Sequence, residues 1–537
     1  MAKILFVVPV MRAEETPKHV HMGIAFAAAM ADGRGHDVQV FDCNAWRPTD
    51  SVVREVLASD DWDVIATGGI TTAYGHIKKT VRFAREVSPK SLIVLGGGVL
   101  TSMPIDIMGW LKEVDLGVIG EAFITWPEIL DKIERGENDW SGVQGVAYRG
   151  PDGGVRLTPS RPLIPDLDKL PYPAYEFFPL DVYFKNSGIL MSETAMVAKR
   201  RLDINTSYGC SLICRFCFHL GLTGEMKVID DGKGHQDVEF SYDRQIRWQS
   251  PRYIVKMVKH LRDKFKIDFV SFLDENLMTM NATTRGKWLP EICNLWIAEG
   301  LQPSCIRENV PHDPDRCQGV HWGGTSHAGL CNSEVLKLMY KAGCTYLDYG
   351  LESFSPRVLK NIGKGATPAN NERAIDITMA AGIRPVPNQI MGFPDEFFDS
   401  IIDSTKAWER IGIRSNPFFA TPYPGSEWYY RYKDKILDQY GGDLEEFILD
   451  LGDATKITAV ISENFSAVEL LGLRQLMIDG DIKRIRQHEK AWRAKHGAPR
   501  LRNFPKEASR KFGNLTPAPT PVYQAETPPA PAPAPAA

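Results

Sequence analysis

The chain is predicted to be an α/β protein built from two successive βα series and a helical end. A doubly wound parallel sheet is expected over residues 1–140, then a partial TIM-like (β/α)6 barrel over 201–430, then helices over 431–514. Three observations predict this. Short apolar runs alternate with helical patterns through the first 140 residues, and a second alternation of the same kind starts at Arg201. Several of the first runs end in glycines, as strands do where a parallel sheet opens a ligand crevice.

In the first series, residues 3–9 read as a buried strand and 23–32, small and apolar, as a helix packed closely on the sheet. Strands follow at 37–42, 63–68, 92–98 and 115–120, with helical patterns at 53–57, 76–87 and 126–134. Strands separated by helices imply a parallel sheet covered on both faces. Its carboxyl ends carry Thr67-Gly68-Gly69, Gly96-Gly97-Gly98 and Gly120-Glu121. Residues 141–200 are rich in Gly and Pro with weak periodicity, and are expected to be a linker draped over the surface.

In the second series, strands are expected at 202–206, 268–273, 304–308, 346–351, 386–391 and 417–421. Ser250-Pro251 and Thr367-Pro368 each place an N-cap residue before a proline at the first helical position. Six βα units of this kind suggest an open barrel. Residues 466–496 look helical. The Pro/Ala-rich residues 515–537, with eight prolines, cannot bury a core and are expected to be a disordered tail.

Composition excludes several classes. Of 537 residues 43% are hydrophobic and 24% charged, an ordinary globular balance. The formal charge of −4 favours neither nucleic acid nor an anionic membrane. No apolar run is long enough to span a bilayer. Nine cysteines in so long a chain are not a disulfide scaffold. The odd count with one tight cluster points to a reduced compartment, the cytoplasm, and to a metal site.

That cluster is Cys210, Cys214 and Cys217, three thiols within eight residues just after the first strand of the second series. Three thiolates on one loop can hold three corners of an iron–sulfur cluster and leave one iron open for chemistry. A structural zinc site with His219 as fourth ligand, or a chance cluster, are the other readings. A second His/Cys-rich stretch, 307–331, carries His312, Cys317, His321, His327 and Cys331. It can line a substrate site, bind a metal or be plain loop, and its spacing matches no standard zinc signature. Residues 225–249 form a charged and aromatic insertion.

The spacing CxxxCxxC, with Phe216 before the last Cys, resembles the radical S-adenosylmethionine (radical SAM) superfamily. The resemblance implies a [4Fe–4S] cluster on Cys210, Cys214 and Cys217, whose open iron takes the amino and carboxylate groups of SAM. It places Phe216 beside adenine. Leu273-Asp274-Glu275-Asn276 stands where the family carries an acidic stretch, and makes Glu275 a candidate for the SAM ammonium. Gly350-Leu351-Glu352-Ser353 makes Glu352 a candidate for the ribose or the amino group. The Met391-Gly392-Phe393-Pro394 stretch makes Gly392 part of the SAM pocket wall.

The first series resembles the cobalamin (B12)-binding domain that precedes the barrel in one branch of that superfamily. On this resemblance Gly68, Gly69, Gly96, Gly97, Gly98, Gly120 and Glu121 hold cobalamin. The chain lacks the DxHxxG motif that supplies a histidine to cobalt, so no protein ligand is nominated, and His36 reads as a turn residue. The subgroup resembles anaerobic magnesium-protoporphyrin ester cyclase and cobalamin-dependent radical SAM methylases. The resemblance implies an enzyme that functionalises an unactivated carbon by methyl transfer, fed by an external electron donor such as flavodoxin or ferredoxin. The alternatives are an oxidoreductase or cyclase with cobalamin in another role, and a cobalamin-binding sensor or scaffold with a structural cluster. No residue is nominated as catalytic, and substrate and oligomeric state are not readable.

Overall fold

The computed structural model describes residues 1–218, 224–230, 236–413 and 416–501. The expected tail at 515–537 lies outside the described residues, as does His219.

The first sheet contains β1 (Lys3–Val8), β2 (Asp37–Asp42), β3 (Val64–Gly68), β4 (Leu92–Gly96), β5 (Leu116–Val118), β6 (Val146–Arg149) and β7 (Val155–Leu157). Its order is β2-β1-β3-β4-β5-β6-β7. The first five strands are parallel and the last two antiparallel. Alternate side chains of β1 enter two different cores, as a period of two requires: Ile4, Phe6 and Val8 one, Leu5 and Val7 the other. Helices Met22–Asp32 and Ala122–Glu134 close the first face; Asp50–Leu57, Tyr74–Val87 and Pro104–Trp110 close the second.

The segment expected to drape over the surface is instead pinned into the interior at several points. It supplies β6 and β7, and Tyr175, Phe178 and Tyr183 are buried in the core shared by the two sheets. Weak periodicity hid this, because these aromatics are fixed by contacts far along the chain. Tyr183 donates to Asp42 at 2.7 Å, and Tyr175 donates to the Asp203 carbonyl.

The second unit contains β8 (Arg201–Ile204), β9 (Ser207–Tyr208), β10 (Gly224–Asp230), β11 (Gln236–Arg244), β12 (Arg247–Trp248), β13 (Phe269–Phe272), β14 (His321–Ser326), β15 (Cys344–Glu352), β16 (Arg384–Met391) and β17 (Phe418–Phe419). Six of these form one parallel sheet, ordered β17-β16-β15-β14-β13-β8, a partial barrel. The expected insertion at 225–249 is mostly the antiparallel pair β10–β11. Ser250 caps helix Pro251–Phe265 through the Tyr253 amide, and Thr367 forms a capping box on Pro368–Ala380.

One strand is misplaced in the sequence reading. Residues 304–308 do not form the third strand: Ser304–Arg307 is a helical turn behind Pro303, and the third strand is β14. Its histidine and paired glycines have poor strand character. Gly323 is there because a Cβ would come within 2.2 Å of the Tyr346 ring, a constraint that exists only once β14 lies on β15. The expected strand at 417–421 shortens to β17.

Helices Ala467–Asp479 and Ile482–His496 brace the outside of the barrel. Phe465 stacks on Phe397 at 6.0 Å and Trp492 meets it edge-on at 5.0 Å. The preceding helices reach back to the first sheet, where Phe447 and Ile448 join its second core and Tyr74 donates to Glu445 at 2.5 Å.

Candidate cofactor chamber between the two sheets

The carboxyl ends of the two parallel sheets face one chamber of about 550 Å³. Gly68, Gly96, Gly97, Gly120 and Glu121 line it from the first sheet, and Asn205, Tyr208, Asp274, Glu275 and Thr325 from the second. The strand order puts this crevice beside β1 and β3, where the winding of the first sheet reverses. Its floor there is bare backbone. A Cβ on Gly68 would stand 2.5 Å from the Gly96 carbonyl oxygen, and one on Gly97 2.7 Å from that of Gly69. Gly97 has φ 87° and ψ −176°, a conformation essentially confined to glycine. Gly69 and Gly98 pack behind this floor and are not part of the lining.

A flat cradle free of side chains fits a large macrocycle approaching edge or face on. His21 lines the same wall, and burial lowers its pKa to about 4. Its Nδ1 accepts from the Ile24 amide at 3.2 Å, which places the proton on Nε2. The neutral ring therefore has no lone pair left for cobalt. His36 is buried at the helix-to-strand turn, its Nδ1 accepting from the Ala2 amide at 3.1 Å.

Glu121 is clamped rather than open. It and Arg247 are nearly buried, and the guanidinium reaches both carboxylate oxygens, one at 2.8 Å. The same guanidinium donates to the Ile164 carbonyl at 2.8 Å and lies 5.7 Å from the Tyr208 ring. This bidentate pair joins the end of β5 to β12 across the two units.

The cysteine loop follows β9. Cys210, Cys214 and Cys217 are all free thiols, with Cys214 buried and the other two half-buried. Burial pushes the Cys214 thiol up to about 12, with Lys364 opposing. The loop is held by Arg215, which pairs with Glu427 at 2.8 Å and whose backbone bonds Ile362 and Trp428. Asn276 caps helix Leu277–Thr283 and points its amide at Cys210 Sγ, 3.9 Å away; the Thr279 hydroxyl lies at 3.8 Å. Three thiols on one loop, with polar groups turned to one sulfur and a buried cation near another, fit an anionic iron–sulfur cluster.

Behind this loop Lys364 and Glu352 form a buried ion pair at 2.9 Å. Burial alone would lower the lysine pKa, but Glu352 and then Cys214 raise it above the usual value. Glu352 itself has φ 61°, a left-handed backbone rare for a non-glycine residue and a mark of functional sites. Phe216 packs on Phe393 at 6.0 Å and Trp428 at 6.1 Å, with Lys364 Nζ 5.9 Å from its ring. Gly392, at φ 87°, donates its amide to Glu396 at 2.5 Å. Of the four SAM candidates, Glu275 lines the chamber, while Phe216, Glu352 and Gly392 stand outside its lining.

Several acids here are held near neutrality. Burial raises Asp274 to about 6 against hydrogen bonds from Thr206 and Ser207. Burial and then Glu352 raise Asp348 to about 7; burial raises Glu396 to about 8. Sequence reasoning missed Lys364, His21, Asn205, Tyr208 and Arg247. None stands in a short recognisable spacing, and convergence in the fold is their only signal.

Comparison with known proteins adds to this geometry. Residues 9–130 match the family model of the B12 binding domain, and residues 204–407 match that of the Radical SAM superfamily. The chain is 27% identical over 418 residues to an uncharacterized methyltransferase of Pyrococcus horikoshii, covering 78% of this chain and 79% of that protein. It is 24% identical over 426 residues to the anaerobic magnesium-protoporphyrin IX monomethyl ester cyclase of Rubrivivax gelatinosus, covering 77% of this chain and 66% of that protein. Its fold matches radical S-adenosylmethionine methyltransferase TsrM from Kitasatospora setae, with a TM-score of 0.59 at 16% identity over 81% of this chain and 77% of that one. No helix among the described residues is long and apolar enough to cross a membrane. A B12-binding sheet and a three-cysteine partial barrel facing one chamber make this chain a member of the cobalamin-dependent radical SAM enzymes, which use a [4Fe–4S] cluster, SAM and cobalamin.

Proposed function

We propose that this chain is a radical C-methyltransferase and that the chamber between its sheets is where substrate meets both cofactors. The observation that carries this reading is that chamber: one 550 Å³ space lined by the glycine floor of the first sheet and by residues adjoining the cysteine loop of the second. Similar proteins with methyltransferase names support it. When bound, the cluster and SAM supply a hydrogen-abstracting radical and cobalamin supplies a methyl group.

The residues of the chain bind, orient and shield. Cys210, Cys214 and Cys217 would hold the [4Fe–4S] cluster, which with SAM would supply the radical chemistry. Asn276 donates toward the Cys210 sulfur, the Thr279 hydroxyl lies beside it, and Lys364 offsets negative charge near Cys214. Glu275 and the Glu352–Lys364 pair receive the polar groups of SAM, and Phe216 and Gly392 wall its adenine side. Gly68, Gly96, Gly97 and Gly120 form the cobalamin cradle, with Gly69 and Gly98 packed behind it and Glu121 locked in place by Arg247. His21, neutral and with Nδ1 engaged by the Ile24 amide, would wall the chamber rather than act as a base there.

The net balance is one substrate C–H converted to C–CH3, with two SAM and two electrons consumed. One 5′-deoxyadenosine with methionine and one S-adenosylhomocysteine leave. An external flavodoxin- or ferredoxin-type donor in the cytoplasm supplies the electrons.

The test needs no known substrate. Reduced, anaerobic holoenzyme is incubated with methyl-deuterated SAM, and the cobalamin is then extracted for mass spectrometry. Deuterated methyl on cobalt with matching S-adenosylhomocysteine is expected. Formation of 5′-deoxyadenosine with no label on cobalamin would favour cyclase or oxidoreductase chemistry instead.

A further inference from the structure

Cys305, His312, Cys317 and His321 converge at the opposite end of the barrel, with all their donor atoms within 4.8 Å of one another. We propose that these four side chains bind a structural zinc ion, separate from the iron–sulfur cluster.

The donor geometry supports this directly. Cys305 Sγ lies 3.7 Å from His312 Nδ1 and 3.5 Å from His321 Nε2. Cys317 Sγ lies 3.7 Å from His321 Nε2 and 3.1 Å from Cys305 Sγ. Tetrahedral zinc at ordinary bond lengths sets sulfur–nitrogen edges of about 3.6 Å and a sulfur–sulfur edge of about 3.8 Å. Three of the four sulfur–nitrogen edges already match, the fourth, between Cys317 and His312, lies within 4.8 Å, and the sulfurs need to part by under an ångström. A disulfide between the two cysteines would leave the convergence of two histidine rings on the same point without a cause.

The support around the quartet is built for a fixed site. Cys305 and His321 are buried, and His312 and Cys317 half-buried. The His321 ring stacks on Phe269 at 6.5 Å and meets His312 edge-on at 4.8 Å. The Ser304 hydroxyl lies 3.7 Å from Cys317 Sγ and accepts from the Gln318 amide at 3.0 Å. A narrow cleft lined by Asp268, His312, Cys317 and His321 gives an entry path.

Position sets the role. His321 is the first residue of β14, whose other end carries Thr325 in the cofactor chamber. Four residues of strand, about 13 Å, separate them. Two Cys and two His leave no open position, which is the mark of a structural site. The ion would staple the long crossover from helix Trp288–Ala298 onto the start of the third barrel strand.

The experiment is metal analysis of the full chain, purified anaerobically and freed of loose metal, with X-ray absorption at the zinc edge. About one zinc per chain in a two-sulfur, two-nitrogen shell is expected beside the cluster iron. Cys317→Ala and His312→Ala are expected to lose the zinc, and the triple Cys210→Ala, Cys214→Ala, Cys217→Ala variant to keep it while losing iron. His312→Cys should retain zinc in a three-sulfur shell, which decides the matter should an alanine variant fail to fold. Wild-type protein without zinc, zinc indifferent to these substitutions, iron in its place, or a Cys305–Cys317 disulfide in the intact mass would each overturn the proposal.

Discussion

The two ends of the six-stranded sheet are built on opposite terms. At the carboxyl ends stand the three-thiol loop, the buried acids Asp274 and Glu396 with raised pKa, and Glu352 in a left-handed backbone. At the amino end of β14 a closed set of four ligands packs into the fold. The difference teaches where a barrel of this kind can carry strain. Binding and chemistry need open positions and misfit acids, which reduce stability locally, so the opposite end is free to be stabilised.

The largest effect that tests this contrast is Cys214→Ala. It should reduce cluster iron to background and abolish SAM cleavage while leaving the zinc in place. Joint loss of both metals, read by elemental analysis, would break the independence of the two ends. Next in size is Arg247→Met, which strands Glu121 as a buried charge. A loss of about 3–5 kcal/mol is expected in denaturant unfolding, with weaker cobalamin binding. Adding Glu121→Gln should recover most of the stability, since no unpaired charge then remains. If the single variant unfolds like wild type, the clamp between the units is not a buried one.

A smaller loss, about 1–3 kcal/mol, is expected for Gly97→Ala, because neither its backbone angles nor the Gly69 carbonyl leaves room for a Cβ. The chamber floor would shift, so cobalamin affinity should fall as well; an unchanged affinity would remove Gly97 from the cradle.

The subtlest effect concerns pH. Burial lifts the Glu396 carboxyl from its ordinary 4.5 to about 8, so the native state holds a proton that the unfolded chain has released. The protonated state stabilises fully at low pH, and its contribution is lost as pH rises from about 4.5 through 8, at up to about 1.4 kcal/mol per pH unit. Glu396→Gln should flatten the part of that slope due to this group, measured as unfolding midpoints from about pH 6 to 9. An identical slope in the variant would place the misfit elsewhere in the site.

Much of the architecture was legible because it is written locally. The parallel sheet shows in short apolar runs, Ser250-Pro251 and Thr367-Pro368 mark helix starts, and three cysteines in eight residues announce their loop. The third barrel strand was not legible. Gly323 and Gly324 look like turn residues until the Tyr346 ring and Phe272 occupy the space where their side chains would be. The 141–200 segment failed for a related reason: its prolines read as surface, while Tyr175 and Tyr183 are buried by partners more than a hundred residues away or in another unit.

The sequence by itself determined the order of the two units, the cysteine loop and the glycine strand ends, since each depends on residues a few positions apart. Only the tertiary structure decided that both sets of strand ends share one chamber, and that Arg247 closes on Glu121 across 126 positions. It alone brought Cys305, outside the suspected His/Cys-rich stretch, to His312, Cys317 and His321, and sent His327 and Cys331 elsewhere, to Lys364 and Tyr349. The physical reason is that spacing along the chain constrains neighbours within a turn or a strand, whereas a chamber or a ligand shell is closed by loops whose meeting point is set by the packing of whole elements.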